Sequence, residues 1–287
     1  RQGILKGMFS DVEEGAEPKY VWSVDANGRV YEAKIGLGGY HGYILEEADK
    51  LRNQGQSLQA AQKYQEITDQ TDDEQVKGAA LHMAAVCYSQ AGQHSDAEEY
   101  FVKAVKHYED LSDTFNLARV NRDFGNCQMA QDKLDEAKEF FNKSIEGFQD
   151  NDDLGELAMT QAKLAALLAK QEDFDRAQSL VYEAIQNANR SKNKFYVSTA
   201  YKEAGRIYYL NKKYQAMIDC IYASLGVLQL EEDSHAKQHA EIYLSLSYAY
   251  KQLENIQLAE DTNTKAEEYL KQLDDESAER IRNYFSN

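Results

Sequence analysis

Ala60, Ala97, Ala137, Ala177, Met217 and Ala259 recur at a nearly constant spacing of about 40 residues, the scale of a helical-hairpin repeat. Each sits in the same local frame. Four residues on comes a large side chain (Tyr64, Phe101, Phe141, Val181, Ile221), and seven on a smaller or β-branched one (Ile67, Ala104, Ser144, Ala184, Ser224, Ala266). Twelve residues before lies another small residue: Ala48, Ala85, Gly125, Ala165, Gly205 and Ser247. Two helices of a hairpin approach closely only where small side chains face each other, and bulky positions then wedge against the next hairpin. The register recurs six times, so the chain is expected to grow as a linear array of helical hairpins rather than around a single closed core.

Composition agrees with long helices. The one proline, Pro18, precedes all the repeats, so the strongest helix breaker is missing from them. The 49 acidic against 32 basic residues give a net charge of −17, which opposes nonspecific binding to nucleic acid or an anionic membrane unless the cations gather on one face. No apolar run reaches membrane-spanning length and the start shows no secretory leader pattern, so the expected location is the cytoplasm. Cys87, Cys127 and Cys220 are odd in number, scattered and without Cys-x-x-Cys spacing, which argues for buried thiols rather than disulfides or a zinc site.

Residues 1–43 have a different texture. Tyr20-Val-Trp-Ser-Val24 and Arg29-Val-Tyr-Glu-Ala-Lys-Ile35 flank Asp25-Ala-Asn-Gly28, a pattern that predicts a β-hairpin. Alternation puts Tyr20, Trp22 and Val24 on one face of the first strand and Tyr31, Ala33 and Ile35 on one face of the second, together forming an apolar aromatic face. Gly36 to Tyr43 reads as a flexible connection, with helices from Ile44. Hairpin turns are expected at Gln54-Gly55, Ala91-Gly92, Gln131-Asp132, Gln171-Glu-Asp173, Asn211-Lys212 and Glu254-Asn255. Longer links are expected at Thr71–Asp73, Ser112-Asp113, Asp150–Asp153, Arg190–Asn193 and Glu231–Ser234. Six hairpins over residues 44–273 would be followed by a capping helix within residues 274–287, carrying Ile281, Tyr284 and Phe285.

The order small residue, tyrosine three later (Tyr88, Tyr208, Tyr250), glycine at the turn (Gly55, Gly92), then alanine, aromatic and alanine resembles the tetratricopeptide repeat. Gln128 and Leu168 replace the tyrosine and Asn263 an aromatic. The long period is similar to that of the extended class found in kinesin light chain, Pins-type adaptors and bacterial Rap-type regulators. The resemblance implies an all-α, right-handed superhelical solenoid with a concave wall lined by the first helix of each hairpin. It also implies binding of peptides or partner domains, with no chemistry and no cofactor.

In that register the wall comprises Arg119, Arg122, Asp123, Asn126, Met129 and Ala130 of the third hairpin and Met159, Ala162, Lys163, Ala166, Ala169 and Lys170 of the fourth. The fifth adds Thr199, Lys202, Glu203, Arg206, Tyr209 and Leu210, and the sixth Glu241, Leu244, Ser245, Tyr248, Lys251 and Gln252. Seven basic residues stand there against three acidic ones, in a chain where acids dominate. A cationic wall inside an acidic shell attracts an anionic segment while repelling unrelated polyanions. Arg122 and Asn126, four apart, are placed to hold one carboxylate; this is similar to half of the carboxylate clamp of chaperone-binding relatives, whose other half is missing at Lys163, Thr199 and Glu203. The competing reading is a solvated helix face whose cations pair with Asp123 and Glu203.

Other chemistry is thinly marked. Glu32-Ala-Lys34 has the Glu-x-Lys form of metal-dependent nucleases, but about 42 residues leave no room for that fold, and a solvent-facing ion pair is preferred. His41 lacks companions, and His235 with His239, four apart, is read as an incidental pair rather than a metal site. The expected function is a non-enzymatic scaffold or adaptor for a protein or peptide with acidic residues, with no nucleic acid or membrane. A peptide-gated regulator and a repeat appendage of a toxin or nuclease system are the alternatives.

Overall fold

A computed structural model describes residues 20–24, 30–34, 41–228 and 236–286. Strands β1 (Tyr20–Val24) and β2 (Val30–Lys34) form the expected antiparallel pair. Trp22 is paired with Glu32 and Ser23 with Tyr31, so in the backbone register the two apolar alternating sets are one residue out of phase. The turn residues Asp25–Gly28 and Ile35 lie outside the described residues.

Helices follow in pairs: α1 (His41–Asn53) with α2 (Ser57–Gln70), α3 (Glu74–Gln90) with α4 (His94–Asp110), and α5 (Thr114–Ala130) with α6 (Leu134–Asp150). Next come α7 (Leu154–Lys170) with α8 (Phe174–Ser191), α9 (Lys194–Leu210) with α10 (Tyr214–Leu228), α11 (Ala236–Gln252) with α12 (Ile256–Leu270), and last α13 (Asp275–Ser286). His41 to Tyr43, expected in a flexible connection, are the first residues of α1. None of the described helices is long and apolar enough to cross a membrane.

In the centre of the chain the links between hairpins are not longer than the turns within them. Gly92, Ser112, Asp132, Asp152, Glu172, Lys192 and Lys212 all take a left-handed backbone conformation, evenly spaced at half the repeat period. At most of these ends the next amide reaches back to the final turn, as in Lys133 N to Gln128 O at 3.0 Å and Asp153 N to Phe148 O at 3.1 Å. This closure satisfies carbonyls that a helix end leaves open. On the far side of the links between hairpins, Asp73, Asp113, Asp153 and Asn193 accept from amides of the first turn of the following helix. They are N-caps, one at the head of each leading helix from α3 to α9. Helix, link of two or three residues and helix therefore repeat throughout the centre of the chain.

The chain divides into two compact units, residues up to Lys143 and residues from Ser144. In the first, the small positions Ala48, Ala60, Ala85, Ala97 and Ala137 are fully buried. Bulky Phe101 of α4 stacks on Phe124 of the next hairpin with ring centroids 4.9 Å apart, and Phe124 stacks on Phe140 at 4.1 Å. In the second, Ala165, Ala177, Ala204 and Ile207 share a core with Leu168 and Val181. Ala278 and Ile281 of α13 join Leu244 and Leu270 in the last one. Serines at the register's seventh position are buried but bonded: Ser144 Oγ lies 3.2 Å from Thr160 Oγ1 and Ser224 Oγ 2.9 Å from Ser198 Oγ. Such pairing keeps buried hydroxyls from costing stability.

Equivalent glycines in two hairpins have opposite room. A Cβ at Gly125 would stand 2.9 Å from the Phe141 ring and 3.2 Å from the Ala137 carbonyl oxygen, whereas one at Gly205 would meet Cys220 Cβ at 3.7 Å. Gly125→Ala should lower stability by about 1–3 kcal/mol through overpacking. Gly205→Ala should be neutral or stabilising by up to about 1 kcal/mol, since alanine favours the helix. Thermal melts of the two variants against the parent check the contrast. Releasing a left-handed non-glycine backbone should act likewise: Glu172→Gly is expected to gain about 0.5–1 kcal/mol in urea unfolding, the αL penalty less the entropy of the added glycine.

Candidate functional site

The leading helices α7, α9 and α11 each leave some side chains of one face at least partly open. On α9 this stripe runs through Phe195, Thr199, Lys202, Arg206, Tyr209 and Leu210, steps of three and four that keep one helix face. On α7 it is confined to Glu156, Met159, Lys163 and Lys170, because Ala162, Ala166 and Ala169, expected on the open wall, are buried. Glu241, Ser245, Tyr248, Lys251 and Gln252 are open to different degrees on α11, while Leu244 is buried.

In the first unit the predicted cation site is already filled by the chain itself. Arg122 has a side chain only 8% exposed, and its Nε lies 3.3 Å from Asp123 Oδ1. Asn126 Nδ2 donates to the same oxygen at 3.4 Å. His82, on α3, places Nε2 2.9 Å from Asp123 Oδ2. The carboxylate that Arg122 and Asn126 were expected to take from a ligand is therefore that of Asp123. Burial works to raise the Asp123 carboxyl, but the Arg122 charge and the His82 hydrogen bond outweigh it and hold the group well below the usual carboxylate range. His82 shifts down: burial favours the neutral ring more than Asp123 favours the charged one, with Arg119 and Arg122 adding to the shift. A neutral imidazole with its proton on Nε2 donates to Asp123. Arg119 is half-buried, and among the described residues its Nε has no hydrogen-bond partner.

In the second unit Lys163 Nζ lies 2.5 Å from Glu203 Oε1, and Arg206 Nη1 lies 3.6 Å from Oε2. Glu203 is thus held between two hairpins at 11% side-chain exposure, and it offsets one of the two cations. Lys170, Lys202 and Lys251 are exposed, and among the described residues Lys202 and Lys251 have no ion-pair partner. The Tyr209 ring centroid is 5.4 Å from that of Tyr248, which in turn is 6.1 Å from that of Tyr214. The structure thus brings Lys163, Arg206 and Glu203 together and joins Tyr209 to Tyr248, while Arg122 and Asn126 turn onto their own helix. Sequence reasoning missed His82, although it stands one period plus a single step before Asp123, which puts the two on neighbouring leading helices.

Among the described residues no group of three or more His, Cys, Asp or Glu side chains is placed to hold a metal. His239 stacks on Tyr269 with centroids 4.6 Å apart and an interplanar angle of 14°, and His235 lies outside the described residues. The three cysteines are buried, and burial pushes the Cys87 and Cys220 thiols up to about 11, far from a reactive thiolate.

Residues 116–190 match the family model described as tetratricopeptide repeat. This stretch is similar to a tetratricopeptide-repeat array. The fold is similar to that of BtubC from P. vanneervenii, with 18% identity over 86% of this chain and 93% of that one and a TM-score of 0.59. A signal transduction ATPase with a tetratricopeptide repeat sensor from Pyrococcus horikoshii aligns with TM-score 0.67 and 16% identity, over 85% of this chain and 38% of the other. Aspartyl phosphate phosphatase F from Bacillus subtilis aligns with TM-score 0.58 and 15% identity, over 82% and 60%. At these identities the likeness is one of fold. No curated protein matches the chain.

Burial of His82 makes the fold around it sensitive to mild acid, against the opposing pull of Asp123. Above about pH 6.5 the histidine is neutral folded and unfolded alike, whereas below it the unfolded chain binds the proton first and the folded state loses stability. The Asp123 contribution persists to lower pH: it is present above about pH 4 and lost only as pH falls toward the depressed carboxyl value. His82→Gln removes the upper window alone. Unfolding free energies from urea titrations at pH 7.5 and 5.5 should therefore fall more in the parent than in the variant, by up to about 1.4 kcal/mol per pH unit below the histidine value; equal falls would show that His82 does not carry the effect.

Proposed function

We propose that the chain is a non-enzymatic, cytoplasmic scaffold or adaptor that holds an acidic or amphipathic segment of a partner protein on the open faces of its leading helices. The observation that carries this reading is the α9 stripe, where exposed Lys202 and Arg206 continue into exposed Tyr209 and Leu210 on one face. Cations on such a face raise the encounter rate with an acidic segment and select against basic ones, while aromatic side chains supply the desolvated contacts that give affinity. Net charge of −17 over the whole chain opposes nucleic acid and anionic membranes.

The pairing seen at Arg122 shifts weight within the predicted set. Arg122 and Asn126 hold Asp123 and support the fold, whereas Arg119, Lys202, Arg206 and Lys251 retain charge that a ligand carboxylate would meet. Lys163 and Lys170 stand at the α7 edge of the same face.

Affinity purification with mass spectrometry identifies the partner, and the double reversal Lys202→Glu with Arg206→Glu then tests the face. Capture should drop at least about tenfold and lose its salt dependence. Unchanged capture would remove this face from the function.

A further inference from the structure

The turn end of the fifth and sixth hairpins carries bulky apolar side chains that the fold leaves uncovered. Tyr209 and Leu210, the last two residues of α9, are each 41% exposed. Leu253, just past the end of α11, is equally open, and Ile256, the first residue of α12, is 59% exposed. Tyr248 ties the hairpins together there through its ring contacts with Tyr209 and Tyr214. Single exposed apolar residues are ordinary on any surface, but residues on both sides of one aromatic contact make a patch.

Its rim is cationic. Lys202 and Arg206 lie one to two turns back along the α9 face, Lys212 sits in the turn after α9, and Lys251 is one turn beyond Tyr248. Among the described residues Lys202, Lys212 and Lys251 have no ion-pair partner, and Glu203 is engaged with Lys163 and Arg206. Basic segments would be repelled by this rim. A segment with carboxylates beside bulky apolar side chains would satisfy both features.

We infer that this end of the second unit is the anchor site for such a segment, its apolar side chains seated against Tyr209, Tyr248 and Leu210 and its carboxylates facing Lys202, Arg206, Lys212 and Lys251. The inference rests on the peptide-holding reading and adds a location: apolar side chains at the hairpin turns, with carboxylates on the cationic rim around them.

The test selects a random peptide library, displayed on phage, against the full chain, and measures the selected peptides by fluorescence anisotropy. Selected sequences should combine Asp or Glu with Leu, Ile, Phe or Trp. They should bind Tyr209→Ser with Tyr248→Ser at least about tenfold more weakly, and Tyr182→Ser, an exposed tyrosine of α8, as the parent does. Unchanged far-ultraviolet melts of the serine variants separate lost contact from lost fold. Acidic-apolar peptides that depend on Lys202 and Arg206 but not on the tyrosines would overturn the anchor and leave the peptide-holding reading standing. Selection of basic peptides, or of none, would overturn both. A dimer of the parent in light scattering that Tyr209→Ser dissolves would assign the patch to a second copy of the chain and overturn the anchor.

Discussion

Close approach of helix backbones at small side chains is the contact on which the rest is built. At Gly125 there is no space even for a methyl group beside Phe141, and Ala85 and Ala165, at the same register position one hairpin before and one after, are fully buried. The bulky residue four places along the trailing helix fills the space around that approach, as Phe141 does against Gly125, and it also reaches the next hairpin, as Phe101 does onto Phe124. Pairing within a hairpin and stacking between hairpins are then two results of one alternation in side-chain size. The stripe of Lys202, Arg206 and Tyr209 is what remains once both sets of contacts are made.

This part of the fold was legible because size alternation acts through contacts only a few residues long and repeats often enough to be seen. Link geometry was less so. Ser112, Asp132, Asp152, Glu172, Lys192 and Lys212 adopt a conformation that glycine usually marks, so in the sequence they pass for ordinary polar loop residues and the links between hairpins look longer than they are. The phase of the β-hairpin was also hidden: alternation names the faces of each strand but not the pairing between strands, which the turn sets.

For the candidate site the sequence placed residues on a helix face without saying which way each side chain turns. Arg122 and Asn126 share a face with Asp123 as well as with any ligand, and the nearest carboxylate takes them. Glu203 plays the same part for Lys163 and Arg206, reaching from its own hairpin to the one before. The cation excess read from the register is therefore partly internal, a polar seam that fixes neighbouring leading helices in step. Arg122 and Lys163 belong to the seam, whereas Lys202 and Lys251 lie on the open surface.

Equal links carry a consequence for how such a chain can change length. With a left-handed residue after every helix from Gly92 to Lys212, the backbone makes no distinction between joining partners inside a hairpin and joining one hairpin to the next. Side-chain size, with the Asp or Asn cap at the head of each leading helix from α3 to α9, tells a helix whether it leads or trails. Duplication or loss of a whole hairpin keeps that alternation intact, whereas gain of a single helix with its link would set two helices of the same kind side by side and exchange inner and outer faces for everything downstream.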